Sequence, residues 1–517
     1  MRETDINPIL KCDYPDPDVI RVGDTYYMAS TTMHFLPGGA LLKSYDLIHW
    51  ELASYIFDTL DETPEENLEL EKNNYGAGMW APTLRFHDGK FYCIFVSNKV
   101  HKTFLFIADD IYGPWEKKEI NGFYHDCSLL FDDDGRVFLV HGNMTIHLTE
   151  LDENLTGPKP GGIDKVIIQD DRENVFLGYE GSHFYKINGK YYITLIHWPK
   201  DPGMRAEAVF TCDTVDGEYK GKDVLCDDRG YFHMGVAQGG IVDTPNGKWY
   251  AILFQDSGAV GRIPVLMPVH WEEDFPVFGV NGKIPEQIDV ASSRPYYRYE
   301  PLYTSDSFNY DVSKTQNPKL KLQWQWNHAP QKDLWKILPG GGLRLKTGKL
   351  CINLSQAQNT LTQRMMFPKC EAEVTVDASE IKEGDVAGIC ALQGLYGLLG
   401  VTKIAGNYYL LKIERMEEKN GGMGMGRTDY MPGTVTEKIR IPGPVVTLCL
   451  KASFEDMQDK LDFFYLKDGR FAKVGAAHNL KFQLDHFCGA RFGLFIYSTK
   501  EAGGSAVFKS FEYRYNS

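Results

Sequence analysis

The sequence predicts an all-β chain in two parts: a five-bladed β-propeller over residues 1–295 and a β-sandwich over 296–517. Three observations point there. Five similar hairpin segments repeat along the first half. No long amphipathic helical pattern separates them, which argues against βαβ units. A stretch rich in Pro, Ser and charge, at 285–308, then gives way to short alternating strands bounded by turn residues.

The five segments are "DPDVIRVGDTYYMAS", "APTLRFHDGKFYCIF", "CSLLFDDDGRVFLV", "GSHFYKINGKYYITL" and "GGIVDTPNGKWYAIL". Each has an apolar run, a turn around glycine, then aromatics and a second apolar run. Asn-Gly and Asp-Gly between apolar runs are the strongest short hairpin signal, because type I′ turns need positive φ. The turn glycines Gly23, Gly89, Gly135, Gly189 and Gly247 are 66, 46, 54 and 58 residues apart. That is one four-stranded blade plus loops.

Reading back from each turn gives a register. Nine residues before the last four glycines stand Trp80, Asp126, Glu180 and Gln238. Before Gly23 the nearest acid is Asp16, seven residues back, in a segment that Pro15 and Pro17 pull out of register. Innermost propeller strands line the central channel, so these five side chains should share one mouth.

Bulk composition narrows the function. A chain of 517 residues is too long for one ordinary core. Its 29 Tyr, 29 Phe, 9 Trp and 50 Gly favour strands and tight turns. A net charge of −15 with no basic run argues against nucleic acid as a partner. No stretch of 18 apolar residues suggests a membrane helix. The start lacks a signal-peptide h-region, and the ten cysteines are scattered with no CxxC pair. Reduced thiols and a cytoplasmic location are therefore expected.

The segments "YPDPDVIRVGDTYYMAS", "MWAPTLRFHDGKFY", "HDCSLLFDDDGRVFLV", "EGSHFYKINGKYY" and "AVGRIP" together resemble glycoside hydrolase family 43, in the family's order, over roughly residues 7–290. The resemblance implies inverting hydrolysis of arabinosides and xylosides. It implies Asp16 as general base, Glu180 as general acid and Asp126 as the carboxylate that tunes and orients the acid. Cys127 follows Asp126 where the family usually has proline. Trp80 becomes a wall of the sugar pocket, and Arg262 a ligand or pKa modulator. Many members carry a last-blade histidine that helps hold a central ion or water. Here "VAQGG" stands there, with Ala237 and Gln238, which argues against a required calcium; no metal ligand is assigned.

Inverting hydrolysis needs one protonated and one ionised carboxyl about 6.5–9.5 Å apart. Glu180 lies between "LGY" and "GSH", apolar and small neighbours that favour the neutral acid. Trp80, Phe35 and Tyr179 offer flat faces for a sugar. The "TTMHFLPGG" loop (31–39) reads as a pocket rim, with His34 and Phe35 as substrate contacts. Asp13 and Asp18 read as turn or cap residues. His125 and His183 read as structural groups, and "FDDDGR" as a hairpin turn. "GGMGMG" reads as a surface loop and the acidic run at 60–74 as a solvated loop or short helix.

The second half shows no acid–base constellation. It resembles the jelly-roll, concanavalin-like sandwich that follows the propeller in several family-43 xylosidases and arabinofuranosidases. Its expected roles are to brace the propeller and shape the pocket rim. The overall expectation is an exo-acting glycosidase on arabinoxylan, xylan or arabinan fragments. Two rivals stand beside it: a non-catalytic carbohydrate-binding propeller, and another five-bladed glycosidase or phosphorylase. A fructan hydrolase would carry a W-M-N-D-P-like start and an R-D-P element, both absent here. A phosphorylase would need a basic phosphate site.

Overall fold

The computed structural model describes residues 6–416 and 430–515. Five sheets of four antiparallel strands follow one another along the chain, each built from consecutive sequence. Their innermost strands are Asp18–Val22, Met79–His87, Ser128–Phe131, Val175–Ile187 and Val236–Asp243, which begin blades 1 to 5. The five turn glycines have φ between +62° and +83°. Only a residue without Cβ adopts that region freely, which is why the same turn chemistry recurs.

The ring closes between blades 5 and 1. Gly240 N–H donates to Pro17 C=O at 3.0 Å, and Arg21 pairs with Asp243 at 2.5 Å. The leading segment then runs along blade 5's third strand, Arg262–Glu272. The Asn7 side-chain amide binds both the N–H (2.8 Å) and the C=O (2.7 Å) of Leu266. Ile9 N–H reaches Pro264 C=O, and Tyr14 N–H reaches Arg262 C=O, each at 3.1 Å.

A charged peg fills the channel. Asp18, fully buried, accepts from Leu84 N–H (2.6 Å) and from Arg85 (2.8 Å). The Arg85 guanidinium also donates to Leu129 C=O, Ser128 Oγ and Phe184 C=O, and lies 5.2 Å from the Tyr185 ring centre. One side chain of blade 2 thus ties blades 1, 3 and 4. Asp18 is therefore no surface turn or cap residue; its carboxylate is the anionic half of a buried pair. His183 Nε2 lies 3.4 Å from the other Asp18 oxygen, with blade 5's Gly240 packed against it.

Two eight-stranded sheets form the sandwich. One contains Asp385–Leu392, Gly397–Ile404 and Arg491–Ser498; the other contains Lys369–Asp377, Val445–Ser453 and Ser505–Tyr515. The strand Gly397–Ile404 and Thr434–Arg440 carry no clear alternation in the sequence and were not expected. Phe35–Leu36 of the propeller pairs with Trp326–Asn327 and becomes an edge of the first sandwich sheet. A single buried cluster includes Val19, Met28 and Leu266 of the propeller with Phe492 and Phe511 of the sandwich.

That pairing corrects the reading of 31–39 as a rim. The loop turns inward and docks on the sandwich. The 60–74 run forms turns without a helix, and Glu66 is buried, accepting from Leu60 and Asp61 N–H at 2.7 Å each. The "GGMGMG" segment lies outside the described residues. All ten cysteines are free thiols. No helix among the described residues is long and apolar enough to cross a membrane.

The peg yields a stability prediction. Removing one partner of a buried pair strands the other charge, at a cost of about 3–5 kcal/mol. Arg85→Met and Asp18→Ala should each lower the urea midpoint sharply, and the double variant should lose clearly less than the sum. Additive losses would show that the pair is not coupled.

Candidate active site

At the channel mouth the chain of every blade is kinked at the pocket-facing residue or the one after it. Asp16, Ala81, Asp126, Gly181 and Gln238 all take positive φ, at +52°, +39°, +46°, +65° and +57°. The strand pairings of blades 2, 4 and 5 shift register there. Such bulges re-aim side chains at functional sites. Here they turn Asp16, Trp80, Asp126, Glu180 and Gln238 into one pocket, with His125, Leu177, Ile196, Arg205, Phe254, Arg262 and Phe487 completing its wall. The cavity between them is about 50 Å³, well below the roughly 300–1,000 Å³ usual for a small-molecule site.

Asp16 is buried and doubly held. Arg262 Nη1 donates to one oxygen at 2.8 Å, and Thr31 Oγ1 donates to the other at 2.6 Å. Thr31 in turn accepts from Ala81 N–H, so blade 2 fixes the hydroxyl. Burial pushes the Asp16 carboxyl above the ordinary aspartate value, and Arg262 and Thr31 counter it. Arg262 lies between two rings, 4.3 Å from the Phe487 centre and 5.2 Å from Phe254. Its Nε and Nη2 are buried with no protein acceptor, which leaves two donors for a ligand.

Across the pocket stand two more carboxylates and an imidazole. Asp126 accepts from Gly181 N–H at 3.1 Å, which ties it to the residue after Glu180. His125 Nε2 is 3.7 Å from Asp126 and 3.4 Å from Glu180, and the Asn143 amide donates to Glu180. The Asp126 carboxylate, then Glu180, raises the His125 imidazole to about 9, so it is a cation at neutral pH. Burial raises Asp126 to about 7 against the pull of His125, with Glu180 and Asp16 adding to the rise. The trio therefore holds a labile proton beside Glu180. These three groups bring donor atoms within 4.8 Å of one another. Neighbouring carboxylates hold His125 protonated, so it presents an N–H and not a lone pair.

Gln238 is set by a buried acid absent from the repeat reading. Its N–H donates to Glu207 at 2.7 Å, and its side chain packs over Gly181, where a Cβ would come within 2.7 Å of it. Burial raises Glu207 to about 8.

The structure thus brings together Asp16, Trp80, Asp126, Glu180, Gln238 and Arg262. It separates His34, Phe35 and Tyr179 from them. His34 is buried among Phe35, Tyr75 and His328, with ring centres 4.3–4.9 Å apart. Phe35 lies under Arg491 at 3.5 Å, and Tyr179 packs on His197 and Phe210. His125 is a pocket group and not merely structural. Asp13 bonds Arg262 N–H (2.9 Å) and Gly489 N–H (2.8 Å), holding the sandwich loop that delivers Phe487. No repeat marks Phe487 or Arg205, so the register had no signal for them.

A family model described as "Glycosyl hydrolases family 43" matches residues 6–276, and one described as "Beta xylosidase C-terminal Concanavalin A-like domain" matches 315–514. A beta-xylosidase of Formosa agariphila is 28% identical over 99% of this chain and 90% of its own length. A non-reducing end alpha-L-arabinofuranosidase of Bacteroides ovatus is 27% identical over 74% of this chain and 72% of its own. Among solved structures, a bifunctional GH43-CE protein of Bacteroides eggerthii is 39% identical with a TM-score of 0.89. The match covers 99% of this chain and 64% of that longer one.

Arg262→Leu removes the cation that lowers Asp16, so the carboxyl stays protonated to higher pH. If Asp16 must be ionised, the acid limb of kcat/KM moves up by about 1–3 units. An unmoved limb would separate Asp16 from the titration that controls rate.

Proposed function

Because the chain belongs to the glycosyl hydrolases of family 43, we propose that its pocket releases one terminal α-L-arabinofuranosyl or β-D-xylosyl unit from hemicellulose-derived oligosaccharides, with inversion. The protein is a glycosidase. The observation that carries the finer reading is the division of its three pocket carboxylates. Asp16 is locked to Arg262 on one side, and Asp126 and Glu180 share His125 on the other. The relatives named for β-xylosides and α-L-arabinofuranosides support both sugars.

In this reading Asp16 accepts a proton from water as the water oxygen bonds to the anomeric carbon. The bond from that carbon to the leaving oxygen breaks, and Glu180 gives its proton to that oxygen. Asp126 keeps Glu180 in place through the Gly181 N–H. The two free Arg262 donors and the Trp80 face position the sugar. A small pocket over a filled channel supports exo-action, since a continuing chain has no exit below.

We also propose that turnover needs no divalent cation. Asp18 and His183 meet in the channel at 3.4 Å, but the Arg85 guanidinium is already paired with Asp18. A second cation there would face an arginine. Exhaustive chelation should leave kcat/KM unchanged, and added calcium should not raise it. A calcium-restorable loss would overturn this.

The direct test is kcat/KM on 4-nitrophenyl α-L-arabinofuranoside and β-D-xyloside, with Asp16→Asn as control. Turnover of either, lost in a folded Asp16→Asn, is expected. Glu180→Gln should cost about 10²–10⁴-fold on poor leaving groups and far less on aryl glycosides. Equal losses on both would remove Glu180 from the acid role.

A further inference from the structure

Blade 4 departs from the other blades. Its inner strand, Val175–Ile187, has 13 residues, whereas the others have 5, 9, 4 and 8. Pairing with Lys190–Pro199 continues beyond the acid: Glu180 faces Ile196, Leu177 faces Trp198 and Val175 faces Pro199. The hairpin therefore extends outward past Glu180, away from the channel floor.

That extension carries a chain of contacts from the pocket to solvent. Leu177 and Arg205 line the pocket. The Arg205 guanidinium lies 5.6 Å from the Trp198 ring, and Trp198 meets Phe176 edge-on at 5.7 Å. Phe176 is 64% exposed. Arg205 pairs with Asp256 through Nη1, while its Nε and the Trp198 indole N–H are buried without acceptors.

Chemistry fixes what passes over this ledge. A general acid must touch the leaving oxygen, so the sugar bearing that oxygen lies beside Glu180 on the solvent side. A pyranose presents C–H faces that suit an aromatic ledge and hydroxyls that suit arginine and amide donors. Asn143, exposed and bonded to Glu180, borders the same side.

We propose that Phe176, Trp198 and Arg205 form the subsite for the first sugar of the leaving chain, a neutral pyranose such as a backbone xylosyl unit. The proposal rests on the reading of Glu180 as the acid. It makes this chain selective for oligosaccharides over glycosides with small leaving groups.

The test compares Phe176→Ala, Trp198→Leu and the conservative Phe176→Tyr with the unmodified protein. Substrates are xylotetraose, arabinofuranosyl-xylotetraose and the trifluoroethyl glycosides of both pentoses, whose leaving group has no ring. Phe176→Ala should lose roughly fivefold more kcat/KM on the oligosaccharides than on the trifluoroethyl glycosides, mostly through KM, with Phe176→Tyr restoring it. Equal losses on both classes overturn the subsite. A second arm titrates xylotetraose into Glu180→Gln with and without Phe176→Ala, by calorimetry. Weaker binding with Phe176→Ala sustains the subsite even where turnover fails and the hydrolase reading falls. Identical binding overturns it.

Discussion

The Asp18–Arg85 pair is the constraint on which the rest of the molecule depends. A five-bladed ring is too narrow for a wide aqueous channel and too polar at its inner strand starts for an apolar plug. Arg85 resolves this with one planar, multidonor group that binds a carboxylate, three carbonyls and a hydroxyl at once.

Above the peg the charges are arranged by blade. Blade 1 supplies a carboxylate matched by blade 5's arginine, while blades 3 and 4 supply two carboxylates matched by one imidazolium. In the first, the arginine counters the burial that raises Asp16. The second leaves a proton free to move, since Asp126 sits near 7 and His125 near 9. Opposite walls of one small pocket therefore balance their charge differently, and hydrolysis by a carboxylate pair needs one ionised and one protonated member.

What could be read from the sequence follows from repetition. Hairpin turns and the nine-residue offset recur, so Trp80, Asp126, Glu180 and Gln238 stood out together. Groups that occur once did not. Asp13 and Asp18 looked like turn residues because Asp before a strand is common on surfaces. Only the ring's closure shows one binding Arg262 and Gly489 N–H and the other buried under Arg85. His34 and Phe35 were misplaced for a related reason. An apolar, aromatic loop beside a site resembles a rim, but the same composition suits burial against a second domain.

The two domains are consequently parts of one site. Phe487 comes from the sandwich, yet it stacks on Arg262 and packs against Trp80 at 5.5 Å. Its loop is held by Asp13, whose other oxygen holds the backbone of Arg262 itself. Any shift of the sandwich would therefore move the arginine that pairs with Asp16 and the ring that packs on Trp80. Phe487 closes one wall of the pocket, and Leu177 and Arg205 border it beside Glu180 on blade 4. Through Phe487, a domain that supplies none of the pocket carboxylates still shapes the pocket wall.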